Sequence, residues 1–416
     1  MNIIIKKLKS AGNYVLTFLK WSLIAAITGA ASGFIGIAFH LSVEAATEIR
    51  HIHSWMLYLL PIGGIIIVAL YKLCNFNKGT DAVISSIRTD DDVPAVMAPL
   101  IFISTVITHL FGGSAGREGA ALQIGGSIGS IIGKLISLDE KDMHLITMCG
   151  MSGVFSALFG TPLTATFFAL EVTSVGIMYY SALIPCIVSA LTAYALTLFC
   201  SIEPTHFVLA VIPNISLAVI LQTACIAALC ALLSIIFCTA MHKSEKYLKK
   251  SIKNDYLRII IGGLAIIILT LAIGCTDYNG AGMSIINEAV NGSAKSTAFI
   301  WKIVFTAITI GTGYKGGEIV PTLFIGATFG CVIAKIIGLD PGFGAALGMI
   351  AMFCGVLNCP IASIILSIEL FGAQEIILFA ITSAISYMLS GYYGLYSSQK
   401  IMYSKLKAEY INQKTK

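Results

Sequence analysis

Charged side chains are scarce in this chain: Asp, Glu, Lys and Arg make up 11% of its 416 residues, against 57% hydrophobic, and mean hydropathy is +0.90. A water-soluble domain carries roughly a quarter charged residues, so a soluble enzyme is excluded. A long basic face is also missing. The net charge of +5 comes from Lys and Arg placed at membrane edges, which set topology and do not bind nucleic acid. The 11 Cys include no pair at a metal-site or redox spacing and read as small buried hydrophobes. The 7 His form no HExxH-like pattern, Ser114 lacks a partner arrangement for nucleophilic catalysis, and no phosphate loop is present. No metal and no cofactor are therefore expected. What remains is a chain embedded in the lipid bilayer almost end to end, with length for about a dozen spans at most.

Apolar stretches run approximately over 13–42, 54–73, 95–112, 119–137, 144–170, 176–199, 210–241, 257–275, 298–312, 319–338, 343–370 and 374–392. Several are too short to span cleanly, and glycines interrupt them around 112–129 and 313–330. Broken or half-spanning helices that line a cavity read this way. Lys6, Lys7 and Lys9 precede the first stretch, which has no small-residue cleavage signature and reads as a retained helix. The basic segment 242–258 and the basic tail from Lys405 should share the cytoplasmic side with the amino terminus, and 200–209, without Lys or Arg, should face outside. Both termini inside means an even number of crossings.

The chain also repeats itself. GGSAGREGAALQIGG from Gly112 aligns with TGYKGGEIVPTLFIG from Thr312, pairing Glu118 with Glu318 at an offset of 318 − 118 = 200. A second block ends at Glu171 in one half and Glu369 in the other, with Pro162 over Pro360, at offset 198. The expected architecture is an all-α polytopic membrane protein of two inverted-topology repeats made from tilted and broken helices. Residues 1–208 form the first repeat and 209–392 the second. Residues 393–416 are expected to hold a pore-facing helix with Tyr396 and a short basic cytoplasmic tail.

Glu118 and Glu318 open apolar runs within Gly-rich turns. A carboxylate there meets free backbone N–H groups and the positive end of the helix dipole, and a dissolved anion would favour the same place. Protonating the tethered Glu would release it and admit the anion, which makes a proton-linked gate. The plainer reading is a helix-capping Glu, although an ionisable group at membrane depth is a functional candidate by default. Pro321 suits a first helical turn. Arg117 is expected to hold the turn by pairing with carbonyls or a carboxylate. Thr80 offers a hydroxyl to an anion or a simple N-cap. Tyr396 reads locally as an interfacial belt residue, though a phenol O–H reaching a cavity is also an anion donor. The symmetric placement of Glu171 and Glu369 favours a structural role.

Together, GREGAALQIGGSIG, GGEIVPTLFIGATFG, the Gly79-Thr80 turn and GLYSS around Tyr396 resemble the CLC family of chloride channels and anion/proton antiporters. The likeness implies an inverted repeat, a homodimer with one pore per protomer, and residence in the cell membrane. It also implies that Glu118 gates, with Gly116 and Gly317 near the site. Gly119, Ile319 and Val320 would face the anion beside Thr80, and Tyr396 would be the central pore tyrosine. Three departures resemble the fluoride/proton antiporter branch: Gly79-Thr80-Asp81 replaces a serine turn, Glu318 stands in the second Gly-rich motif, and Val172 follows Glu171 where chloride exchangers tend to carry a second acid. Fluoride holds water tightly, and a protonated Glu318 would return a compact hydrogen bond to it. Export of fluoride in exchange for protons is thus the expectation. A chloride/proton antiporter or chloride channel is the alternative, and a membrane-embedded enzyme or non-transporting scaffold a distant one.

Overall fold

A computed structural model describes residues 2–89 and 91–416; the side chains of residues 2–11, and with them Lys6, Lys7 and Lys9, lie outside the described residues. Sixteen α-helices fall into two sets of eight among the described residues. The first set is α1 (Asn2–Ile52), α2 (Leu60–Leu73), α3 (Thr80–Ser86), α4 (Met97–Leu110), α5 (Glu118–Leu135), α6 (Glu140–Phe159), α7 (Pro162–Glu171) and α8 (Leu183–Phe199). The second is α9 (Leu217–Ser251), α10 (Asp255–Ile273), α11 (Met283–Val290), α12 (Ala298–Thr312), α13 (Ile319–Ile337), α14 (Pro341–Leu357), α15 (Pro360–Phe371) and α16 (Ile376–Leu389). Among the described residues, seven helical stretches are long and apolar enough to cross a membrane, and five shorter apolar helices accompany them. The protein is a multi-pass membrane protein whose helices are unequal in length and partly broken.

Side-chain caps mark several helix starts. Asp139 accepts from Asp142 N, Asp340 from Phe343 N, Ser216 from Val219 N, and Asn254 from Tyr256 N and Leu257 N, each supplying an acceptor to a first-turn N–H group that has none within its helix. The starts of α5 and α13 carry no such side-chain bond. These two helices are buried along most of their length and pack tightly on α6 and α14 through glycines. A Cβ at Gly125 would strike the Gly150 backbone, and one at Gly326 the Gly348 backbone. Only glycine allows that approach.

The repeat is visible atom by atom. Glu171, ending α7, accepts hydrogen bonds from Ile361 N (3.3 Å) and Ala362 N (2.8 Å) at the start of α15. Glu369, near the end of α15, accepts from Leu163 N (2.9 Å) and Thr164 N (2.8 Å) at the start of α7. Each half caps a helix of the other, which is the structural role that their symmetric placement implied.

The register of the first block is corrected by one residue. Helix N-caps Arg117 and Glu318 correspond, as do Asp139 and Asp340, both at offset 201. The offset drops to 198 at the C-caps Gly160 and Asn358 because α14 has 17 residues where α6 has 20. Successive glycines around Glu318 made the offset of 200 look equally good in sequence. Glu318 is therefore the counterpart of Arg117, and Glu118 of Ile319.

The expected helix carrying Tyr396 is absent. Residues 390–399 form turns, followed by β2 (Lys400–Tyr403) and β3 (Tyr410–Lys414), which make a three-stranded sheet with β1 (Ser174–Val175). Gly391 has φ of +58° and Gly394 packs close to Asn358 and Thr415, so glycine spacing holds this segment in turns.

Replacing Glu171 by Ala should leave two N–H groups at the start of α15 without an acceptor in an apolar setting, costing roughly 1–3 kcal/mol. Thermal unfolding in detergent should show a clear fall in midpoint, smaller for Glu171→Gln, which keeps a carbonyl acceptor. An unchanged midpoint in Glu171→Ala would contradict the reciprocal-cap account.

Candidate functional site

The two Gly-rich turns meet backbone to backbone. Gly116 N donates to Gly317 O (2.6 Å) and Gly317 N to Gly116 O (2.7 Å), an antiparallel bridge between residues that correspond at offset 201. A reciprocal bridge between equivalent residues lies on the pseudo-two-fold axis, and it directs the starts of α5 and α13 toward one region. Neither glycine can carry a side chain without a clash: a Cβ at Gly317 would meet the backbone nitrogens of Glu118 and Gly119, and one at Gly116 would lie 2.7 Å from Glu118 Oε2.

The first intrahelical bonds of these helices are Ala121 N to Arg117 O and Thr322 N to Glu318 O. The amides of Gly119, Ile319 and Val320 precede those bonds, and Pro321 has no N–H to add. With no side-chain cap on either helix, the region is a place of positive potential.

Glu118 fills part of it. The residue is 1% exposed. Its Oε2 accepts from Arg117 N at 3.0 Å, its Oε1 lies 3.6 Å from Arg117 Nε, and the Val320 amide of the opposite half faces it as well. Arg117 also reaches Leu158 O at 3.4 Å. Glu318 has other surroundings. Its side chain is partly exposed and lines a cavity of about 570 Å³, while its Oε2 has no hydrogen-bond partner among the described residues. Glu118 does not line that cavity. A Cβ at Gly119 would lie 3.0 Å from Glu318 Oε2, so the second acid reaches the start of α5 from the cavity side.

Thr80 and Tyr396 line the same cavity. Thr80 Oγ1 accepts from Gln123 Nε2 at 2.9 Å and donates to Gly119 O at 3.4 Å, which is a long bond. Tyr396 is 4% exposed and its hydroxyl has no partner among the described residues, which argues against a membrane-interface position. Thr80, Glu318 and Tyr396 line one cavity, and Thr80 Oγ1 and Glu318 Oε2 both approach Gly119, whereas Gly119 itself, Arg117, Glu118, Ile319 and Val320 do not line it. Gln123 was not anticipated. It is four residues beyond Gly119 on α5, and a single amide in the apolar run AALQIGG was the available signal.

The Tyr396 turn is fixed by groups far away in sequence. Asp81, in the first turn of α3, accepts from Ser397 Oγ and Ser398 N, both at 2.8 Å. Arg88, just beyond α3, donates to Thr173 O at 2.6 Å and also to Ser398 O. From below, Thr415 Oγ1 donates to Tyr396 O at 2.7 Å. Thr80 and Tyr396 thus stand on two segments latched together by their immediate neighbours, Asp81 and Ser397.

The rest of the cavity wall is densely charged. Lys72, Lys78, Lys249, Arg258 and Lys315 line it together with Asp81, Glu245, Asp255 and Glu318. Lys315 extends over the ring of Tyr71 at 4.6 Å. Residues 242–258, expected to face the cytoplasm, supply much of one side.

Residues 63–391 match the model of the voltage-gated chloride channel family, and the chain belongs to that family. Over 395 residues it is 34% identical to a "Chloride/fluoride channel protein" of Pseudomonas syringae pv. tomato, covering 93% of this chain and 87% of that one. Its fold superimposes on the crystal structure of a CLC-type fluoride/proton antiporter with a TM-score of 0.89 at 30% identity, covering 92% of this chain and 98% of the other. A slow cyanobacterial Cl⁻/H⁺ antiporter shares the fold at 18% identity and a TM-score of 0.78, covering 89% and 94%. Members of this family are channels or transporters and not enzymes.

Removing the Asp81 carboxylate deletes two acceptors, one of them serving a backbone amide. Hydrogen bonds to charged groups contribute about 1.5–3 kcal/mol, so Asp81→Ala should speed amide hydrogen exchange at Ser398 by roughly tenfold or more. Unaltered protection at Ser398 would show that Asp81 does not hold the Tyr396 turn.

Proposed function

We propose that this protein exports fluoride in exchange for protons, driven by an inward proton gradient. The observation that carries the reading is the unequal placement of its two acids: Glu118 is buried among the amides of both halves, whereas Glu318 lines the cavity and keeps a shielded carboxyl oxygen, Oε2, that has no hydrogen-bond partner among the described residues.

In this reading the Glu118 carboxylate stands where the anion would bind, so the pathway is shut while it is ionised. Protonation removes its charge and weakens its hold on the Val320 and Arg117 amides. An anion then takes the N–H groups of Gly119, Ile319 and Val320, with Tyr396 O–H as a further donor. Thr80 joins them by giving up its long bond to Gly119 O. Arg117, Gly116, Gly317 and Pro321 keep the turns in place. Glu318 meets water in the cavity, so it is the group that exchanges protons with that side. When protonated it donates one short hydrogen bond to the anion.

That donor is the basis of ion choice. Fluoride surrenders a strong hydration shell and needs compact donors in return, and charge-assisted O–H···anion bonds are the shortest available. Chloride is held adequately by a wider ring of weaker donors. The sequence likeness to a chloride/fluoride channel protein and to a fluoride/proton antiporter supports the same choice. We further infer residence in the plasma membrane with both termini cytoplasmic, residues 1–208 and 209–392 as the repeat units, and a homodimer with a pore in each protomer.

The test is efflux from liposomes loaded with fluoride or chloride, followed by ion-selective electrodes. Fluoride should leave much faster than chloride, and equal rates would overturn the selectivity claim. Glu318→Ala should reduce the fluoride preference by roughly tenfold, the equivalent of one strong hydrogen bond. Glu118→Gln should abolish proton coupling, whereas unchanged coupled exchange would remove Glu118 from the gate.

A further inference from the structure

A fully buried lysine and a partly exposed arginine lie near the Glu118 turn with no salt-bridge partner among the described residues. Lys302 on α12 is fully buried, donates to Gly280 O (2.7 Å) and Tyr278 O (3.2 Å), and sits 5.0 Å from the Phe324 ring. Arg50, in the last turn of α1, is only partly exposed. Its Nη1 is shielded and has no hydrogen-bond partner among the described residues, and its Nη2 meets His51 Nε2 at 3.4 Å. The two side chains converge on Gly280, since Lys302 binds its carbonyl and a Cβ there would lie 2.9 Å from Arg50 Nη1. Among the described residues neither cation takes part in a salt bridge.

The location is tied to the gate. Gly280 N donates to Gly113 O (3.0 Å) and Asn279 Nδ2 to Gly112 O (2.8 Å), which are in the turn leading to Gly116 and Glu118. Arg50 itself lies against Gly112. None of these residues lines the large cavity. With the amino terminus cytoplasmic, the end of α1 carrying Arg50 is external.

An unpaired charge withdrawn from water is costly, and two like charges brought together add repulsion. Proteins compensate such groups with a counter-charge, and the described residues supply none here. His109 does not serve. Its Nδ1 donates to Thr105 O (2.9 Å), which in the neutral ring leaves Nε2 as a lone pair with no partner.

We propose that Arg50 and Lys302 hold a small monovalent anion at the outer mouth, one step beyond Glu118. The free Nη1 of Arg50 is the donor, and Lys302 supplies charge from behind the Gly280 carbonyl. Such a site concentrates anions at the gate and lets one ion displace the next. The proposal rests on the anion-exchange reading for its purpose, but binding at the site requires neither fluoride selectivity nor proton coupling.

Two measurements test it. Crystals of the full chain grown in sodium bromide should show an anomalous peak within hydrogen-bonding distance of Arg50 Nη1. In vesicles, Arg50→Gln should raise the half-saturating external fluoride concentration for uptake roughly tenfold, with maximal rate within about twofold and with Arg50→Lys restoring most of the loss. Absence of bromide at Arg50, or an unchanged half-saturation in Arg50→Gln, would overturn the proposal. If bromide binds at Arg50 while wild-type protein shows no proton-coupled fluoride flux, the site stands and the exchange reading falls.

Discussion

Gly116 and Gly317 hydrogen-bond to each other across the pseudo-two-fold axis, and the centre of the protein is organised around that contact. Antiparallel pairing of equivalent backbone segments forces the two halves into opposite orientations. It also turns two helix starts that carry no side-chain cap bond toward one region of the interior, where the Glu118 carboxylate meets the amides of both halves. Side chains are excluded from the bridge because Glu118 and its backbone neighbours already occupy the space. The glycine contacts of α5 with α6 and of α13 with α14 hold both helices in line with the bridge, and the reciprocal caps of Glu171 and Glu369 tie the halves again further away.

Symmetry of the backbone does not extend to the acids. Equivalent N-cap positions hold Arg117 in one half and Glu318 in the other, and Glu118 corresponds to Ile319. One acid therefore points into the amides with an arginine beside it, and the other lines the charged cavity. A pair of symmetry-related carboxylates would have equal surroundings and would compete for one task. In the proposed exchange mechanism, this one-residue displacement is what would assign gating to Glu118 and proton exchange to Glu318.

Much of this was legible in the chain itself. Scarcity of charge points to the bilayer, the internal repeat implies inversion, and the symmetric placement of Glu171 and Glu369 implies the structural role that their crossed caps show. Registration failed by one residue because runs of glycine align equally well at neighbouring offsets, and spatial pairing of Gly116 with Gly317 is needed to fix it. A pore-facing helix is expected in 393–416, but β2 there forms by pairing with Ser174 and Val175, some 225 residues earlier, and β3 then pairs with β2. Gln123, the Asp81 latch and the Arg50–Lys302 pair were hidden for a similar reason. Each depends on partners contributed by distant segments, and local pattern carries no trace of them.

Coupling between proton and fluoride is the central claim, and the direction of flux tests it most directly. Vesicles containing the protein would hold equal fluoride inside and out, with membrane potential clamped at zero and the exterior made mildly acidic. Proton entry through an exchanger should drive fluoride out of the lumen, against no initial gradient of its own. Passive diffusion of hydrogen fluoride would carry fluoride inward, and a channel would give no net movement. Outward fluoride flux that vanishes when the pH difference is removed is the predicted result, and inward flux or none would contradict the account.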